Sequence, residues 1–192
     1  MTHIGDIHGS FTSRTYTQAE GLAQNSVFAV YESHDGTVWA GTLNSGLSEF
    51  RNGRFTTFTT ADGLVSNSIS SIAESADGIM WFGTPNGLSQ MSTAGWRNYT
   101  VHDGLSSQDV LCLLEDSSGV LWIGTSDGLA FLTRGQIRVP RGVPSALQEQ
   151  ILGMAEDRDG WLWVATTDHV IQVKRSSLIQ STLSFRSSGV WC

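Results

Sequence analysis

Cysteine is scarce in this 192-residue chain: Cys112 sits inside an apolar run and Cys192 is the last residue. A pair so placed forms no disulfide framework and has no zinc-ligand spacing. Cys112 reads as a small buried hydrophobe. Basic residues are also few, 11 against 18 acidic ones, and they are scattered singly. A nucleic-acid groove wants clustered lysine and arginine, so that partner class is disfavoured. No apolar run approaches the ~18 residues of a membrane span, so no membrane contact is expected. The opening Met1-Thr-His-Ile-Gly-Asp6 has no charged n-region and no apolar h-region. No secretory signal is therefore expected, and the chain expressed as it stands is expected in the cytoplasm. What is plentiful is apolar and aromatic: 40% hydrophobic residues, with seven tryptophans and eight phenylalanines. That composition belongs to a folded chain with room for a sizeable core.

The tryptophans are periodic. Trp39, Trp81, Trp122 and Trp163 are spaced 42, 41 and 41 residues apart. They lie in Gly36-Thr-Val-Trp-Ala-Gly-Thr42, Gly78-Ile-Met-Trp-Phe-Gly-Thr84, Gly119-Val-Leu-Trp-Ile-Gly-Thr125 and Gly160-Trp-Leu-Trp-Val-Ala-Thr166. Gly41, Gly83 and Gly124 form a second column, which the last copy breaks with Ala165. Self-similarity at a period of about 41 residues signals a repeat architecture.

Each unit reads as four strands. The first covers Val27 to Glu32, Ile69 to Glu74, Val110 to Glu115 and Ile151 to Glu156. A hairpin turn follows at Asp35-Gly36, Asp77-Gly78, Ser118-Gly119 and Asp159-Gly160, then the tryptophan strand. A second turn holds Asn44, Asn86, Asp127 and Asp168, and a third strand ends at Phe50, Met91, Leu132 and Val173. An aromatic outer strand carries Phe55 and Phe58, or Trp96 and Tyr99. Four short antiparallel strands in about 41 residues make one blade of a β-propeller. The column Ala29, Ser71, Cys112, Gly153 is all small, as crowding of first strands near an axis requires. The glycine load, 21 residues, and the close spacing of turns exclude helical repeats.

The predicted organisation is a leader over 1–10, disordered, and an outer strand of a preceding blade over 11–17. Blades follow at 18–60, 61–102, 103–142 and, in divergent form, 143–188. Tyr16 lies five residues before Gly21, as Phe58 does before Gly63 and Tyr99 before Gly104, which supports the strand at 11–17. Leu183-Ser-Phe-Arg186 is the candidate last outer strand.

The pattern Asp62-Gly-Leu-Val-Ser-Asn67, Ile72-Ala-Glu74, Asp77-Gly-Ile-Met-Trp81-Phe-Gly-Thr84, Pro85-Asn-Gly-Leu88 closely resembles the two-component regulator propeller repeat. The resemblance covers roughly residues 16–175. Three copies keep the glycines, tryptophan, threonine and Gly-Leu together; the fourth has Ala165 and His169 in place of glycines. The resemblance implies an all-β fold of about four blades from a seven-bladed ring. It further implies the extracytoplasmic sensor part of a bacterial histidine kinase or related signalling protein. Ligands of such modules are often polysaccharide breakdown products. No kinase segment lies in this chain, so it is expected to be a signal-input module without catalysis of its own. Four blades at ~51° each sweep only ~206° of a seven-blade ring. The two open faces are expected to need the remaining blades or another copy of the chain.

Gly5-Asp-Ile-His-Gly9 looks like the Asp-x-His-Gly metal motif of metallophosphoesterases, but the companion motifs are missing, so chance is the better reading. No metal site and no cofactor is expected. The glutamate column, Glu32, Glu74, Glu115 and Glu156, is better explained as scaffold that accepts turn N–H groups. Thr42, Thr84, Thr125 and Thr166 are expected to make structural hydrogen bonds. His34 and His102 read as solvated turn histidines. In a four-stranded meander the blade-linking loop and the second turn share one end face. That face would carry Asn44, Asn86, Asp127, Asp168 and His169, with Asn25, Asn67 and Gln108 nearby, and would suit an oligosaccharide or other small polar ligand. The same residues are also common turn formers. His169 stands out because it replaces a turn glycine. Two alternatives remain: a streptogramin-type propeller lyase, for which only His169 with Asp168 could serve, and a protein-interaction scaffold.

Overall fold

A computed structural model describes residues 13–183. The leader at 1–10, its Gly5–Gly9 motif and residues 184–192 lie outside the described residues. Among those described, fifteen strands form four antiparallel sheets in chain order. The first sheet holds β1 (Val27–Glu32), β2 (Val38–Thr42), β3 (Leu47–Arg51) and β4 (Arg54–Phe58). The second holds β5 (Ser71–Glu74), β6 (Met80–Thr84), β7 (Gly87–Ser92) and β8 (Gly95–Tyr99). The third holds β9 (Val110–Glu115), β10 (Leu121–Thr125), β11 (Gly128–Thr133) and β12 (Gln136–Arg138). The fourth has only three strands, β13 (Ile151–Glu156), β14 (Trp161–Thr166) and β15 (Val170–Lys174). Each sheet is one blade of an all-β partial propeller, and first strands of successive blades lie side by side.

The last blade departs from expectation. After β15 comes helix α1 (Arg175–Leu183), so Leu183 ends a helix and does not open an outer strand. The reason is local. The third turns of the other blades use left-handed residues: Asn52-Gly53 (φ 51° and 77°), Gly95 (104°) and Arg134-Gly135 (49° and 72°). Each of those turns contains a left-handed glycine, which Arg175-Ser-Ser lacks, so no tight hairpin returns the chain. Leu178 of α1 is buried in the core cluster that also holds Trp122 and Phe131 of the third blade. At the other end, residues 13–17 form no strand. Tyr16 nevertheless packs on Phe50 and Phe55, centroids 4.9 and 5.5 Å away, in the way Phe58 packs on Trp96 at 5.8 Å.

The linkers explain the Asp-Gly-Leu signature. Thr59 donates both its N–H (2.8 Å) and its hydroxyl (3.0 Å) to the Asp62 carboxylate, Gly63 turns left-handed, and Leu64 drops into the core. Thr100–Asp103–Gly104–Leu105 repeats this, and Thr17–Glu20–Gly21–Leu22 uses the longer acid. The first two residues of the next expected strand, Ile69 and Ser70, fall outside it. Ile69 donates its N–H to Thr42 of the preceding blade (3.0 Å), so β5 begins later than the sequence pattern suggests.

The core lies between blades, as one cluster per junction. Each tryptophan faces the following blade. Trp39, Trp81 and Trp122 are 4%, 3% and 0% exposed, whereas Trp163, with no described blade beyond it, is 40% exposed. Val30, on the face towards a preceding blade, is 68% exposed. The glycine column follows from the same contact. A Cβ on Gly41, Gly83 or Gly124 would collide with Ile69, Val110 or Ile151 of the next blade, within 3 Å in each case. The small residues Ala29, Ser71 and Cys112 pair with those glycines in register, so they sit beneath the same contact.

Candidate functional site

The two end faces differ in how their side chains are used. On the face of the second turns, each column threonine clamps its own turn. Thr42, Thr84 and Thr125 donate to the carbonyls of Gly46, Gly87 and Gly128 at 2.7–2.8 Å. Thr84 and Thr125 also accept the N–H groups of Asn86 and Asp127 at 3.1 Å. The linkers do reach this face: Asn44 donates its N–H to Gln24 Oε1 (3.1 Å), and the Ser107 and Ser126 hydroxyls meet at 2.9 Å. Asn25 and Asn67, however, are occupied, since their Oδ1 atoms accept the N–H groups of Gln18 (2.9 Å) and Thr60 (2.8 Å). Asn44, Asn86, Asp127 and Asp168 are exposed, and among the described residues no hydrogen bond or ion pair uses their side chains.

His169 differs from them. Its Nδ1 lies 3.4 Å from Glu149 Oε2, which also accepts from the Thr166 hydroxyl at 3.3 Å. Glu149 stands two residues before its first strand, the column of Asn25, Asn67 and Gln108. Reading that column to its fourth member would have paired it with His169. Asp168, the sequence partner of His169, takes no part in this contact.

The opposite face carries the glutamate column, and its role is a clasp between blades. Glu74 Oε2 accepts the His34 N–H at 2.8 Å, Glu115 Oε1 accepts that of Ala76 at 2.9 Å, and Glu156 Oε2 that of Ser117 at 2.7 Å. Each acid thus holds the first turn of the preceding blade, which satisfies a donor that no strand partner can. His34 is not merely solvated, because its Nδ1 also lies 2.8 Å from Glu74. Glu32 is exposed, with no described turn to clasp.

Beneath each tryptophan the indole N–H finds an acceptor on the first turn: Ser75 Oγ (2.7 Å), Asp116 Oδ2 (2.8 Å) and Asp157 Oδ2 (2.9 Å). Trp39 has none among the described residues. Burial pushes the Asp116 carboxyl upward, but hydrogen bonds from Ser118, Trp122 and Val120 outweigh it and hold the group below the usual carboxylate range. Hydrogen bonds from Ser33 and Thr37, with Arg51 nearby, bring Asp35 down to about 2. Burial pushes the half-buried Cys112 thiol up to about 12, so it is no nucleophile.

Between the clasps lie three equivalent clefts, and they are filled differently. In the first, Arg51 pairs with Asp35 at 3.0 Å and leaves about 170 Å³. In the third, Arg175 reaches in from α1 to Ser117 Oγ (2.7 Å) and to Glu156, and lies 3.7 Å from Asp116. The middle cleft has Ser92 where the first has Arg51 and Ala76 where it has His34, and about 470 Å³ stays open. Asp77, Gln90, Arg97, Tyr99, Glu115 and Arg134 are among its lining. Sequence reading missed it, although the losses at Ser92 and Ala76 are visible once the columns are aligned. Among the described residues no group of three or more His, Cys, Asp or Glu side chains could hold a metal, and no helix is long and apolar enough to cross a membrane.

No curated protein matches the chain in sequence. The fold is similar to the extracellular domain of BT3049 of B. thetaiotaomicron, described as a hybrid two component system. Identity is 20% over 88% of this chain and 24% of that one, with a TM-score of 0.76. It is also similar to a catalytically inactive virginiamycin B lyase from Staphylococcus aureus, at 17% identity over 82% of this chain and 55% of that one (TM-score 0.64). A third similar structure is PorZ of Porphyromonas gingivalis, a component of the type-IX secretion system, at 16% identity over 79% and 26% (TM-score 0.60). The chain spans about a quarter of the BT3049 domain. At these identities the likenesses show the fold alone. The family described as two component regulator propeller matches residues 21–44, 63–86, 104–127 and 146–168, each match running from a linker to a second turn. By those four repeats the chain belongs to the two-component regulator propeller family.

Proposed function

We propose that this arc is a signal-input module: part of a sensor propeller, extracytoplasmic in its parent protein, that binds a ligand and catalyses nothing. One observation carries the reading. At the three described junctions the family's columns, tryptophan, glycine, threonine and glutamate, are consumed by packing and hydrogen bonds, while Asn44, Asn86, Asp127 and Asp168 present unused polar side chains on one face. Unused polar groups around a turn face suit a small polyhydroxylated ligand, such as an oligosaccharide fragment. Exposed Trp163 and Val30 mark the two faces where remaining blades, or another copy of the chain, would dock.

The test is a thermal-shift and calorimetric survey of the chain against neutral and acidic oligosaccharides, with Asp127→Ala and His169→Ala as controls. Saturable binding weakened by these substitutions supports the turn-face site. Binding that both variants retain, or no binding by any glycan, sinks it. A second reading, a propeller lyase, rests on the His169–Glu149 pair at 3.4 Å. Metal-dependent elimination from a cyclic depsipeptide, abolished in His169→Ala, would replace the first reading with this one.

A further inference from the structure

The three clefts on the clasp face are built from the same columns, so two of them report what fits in the third. In the first, the clasp glutamate Glu74 has the His34 ring 2.8 Å away. In the third, Glu156 holds the Arg175 guanidinium, which also donates to Ser117 Oγ. Glu115 in the middle cleft has only the Ala76 N–H; among the described residues no cationic side chain reaches it. Asp77 likewise lacks the arginine that Asp35 has in Arg51, because Ser92 stands in that column. Repeats of one fold have thus placed an arginine in two clefts, Arg51 in the first and Arg175 in the third, and left the middle one open at about 470 Å³, a volume that suits a small molecule.

The outer end of the middle cleft has the opposite sign. Sheet order runs from β5 and β9 inside to β8 and β12 outside. Glu115 ends β9 and Asp77 sits in the β5–β6 turn, so both acids lie at the inner end. Arg97 lies on β8 and Arg134 in the β11–β12 turn, so both guanidinium groups belong to the outer end. Neither arginine has a carboxylate partner among the described residues; Arg97 lies over the Tyr99 ring at 4.6 Å. Arg134 also adopts a left-handed backbone (φ 49°) at the position where the first blade has Asn52. Arginine gains nothing from that conformation, whereas asparagine is favoured there. Gln90 lies between the two ends, its Oε1 taken by the Tyr99 hydroxyl at 2.8 Å.

We propose that the cleft between the second and third blades binds a small zwitterion. A guanidinium or ammonium group points inward to Glu115 and Asp77, and a carboxylate points outward to Arg97 and Arg134. The inner group takes the place that Arg175 takes one blade further on. This site is independent of the turn-face reading, on the opposite end of the propeller.

The probe is L-arginine, titrated calorimetrically into the full chain, with agmatine as the analogue that lacks the carboxylate. Saturable binding of arginine is expected, with about tenfold weaker binding for agmatine and for each of Glu115→Gln and Arg134→Ala. Ser92→Arg supplies from within the partner that Arg51 provides to Asp35. It is expected to abolish binding without lowering the unfolding midpoint, which separates a blocked site from a misfolded chain. No saturable binding of arginine at millimolar concentration overturns the proposal. So does wild-type affinity in Glu115→Gln or Ser92→Arg.

Discussion

Adding one methyl group at Gly124 should pry two blades apart, while the same addition at Gly153 should cost nothing. Gly124 has no left-handed backbone, so alanine there meets no φ penalty and the effect is purely steric. Its Cβ would lie 2.8 Å from Ile151 Cγ2 and 3.0 Å from Ile151 Cβ, and closer still to Cys112 Sγ. The thiol can rotate away. Ile151 cannot, because it is fully buried and its Cβ moves only with the backbone of β13. The fourth blade must therefore shift by several tenths of an ångström across a packed junction. Overpacking of this kind costs about 1–3 kcal/mol, and for a chain of this size that lowers the melting temperature by roughly 2–12 °C. A Cβ on Gly153 meets nothing within 4 Å, so alanine there should be neutral or stabilise by about 0.4–1 kcal/mol through the unfolded chain. Urea unfolding followed by tryptophan fluorescence measures both. Pairing Gly124→Ala with Ile151→Ala should recover part of the Gly124→Ala loss, a favourable coupling between the two sites. Equal midpoints for Gly124→Ala and the wild type, or equal losses at the two glycines, would refute the junction argument.

Other expectations concern the clasps and the buried acid. Arg175→Ala should cost about 1–3 kcal/mol, because Glu156 and Asp116 lose their cation while Leu178 still holds α1 in the core; chemical unfolding reads the loss directly. Asp116 is held below its unfolded value of about 3.9. Its contribution is therefore fully present above that value and is lost as pH falls through the lower folded value. Melting curves from pH 6 to pH 2 should show this acid-side loss, and Asp116→Asn should be less stable at neutral pH with a flatter acid limb. Iodoacetamide at pH 8 should leave the Cys112 peptide unmodified in the native chain, since burial pushes that thiol to about 12. Modification before denaturant is added would mean the third–fourth junction opens readily.

Period and fold were legible because every blade solves the same packing problem. Each blade sets a tryptophan facing the next blade, a glycine where that blade comes close, a threonine that clamps its own second turn and a glutamate that clasps the first turn of the blade before, and those four needs return every 41 residues or so. What periodicity conceals is the exception. Helix α1 replaced an expected strand because Arg175-Ser-Ser cannot form the left-handed hairpin that Asn52-Gly53 forms, a rule about single residues and not about columns. The same holds for the sites. Reading for shared residues singled out the second turns, where asparagine and aspartate recur, and passed over Glu149, which is an acid only in the fourth blade. It also passed over Ser92 and Ala76, which matter because they are not Arg51 and His34. In a repeat protein a residue present in every unit is accounted for by what every unit does. A binding site breaks that equivalence, since one ligand occupies one junction. Binding is therefore to be sought where a column loses its internal partner and leaves the cavity behind, as the middle cleft does.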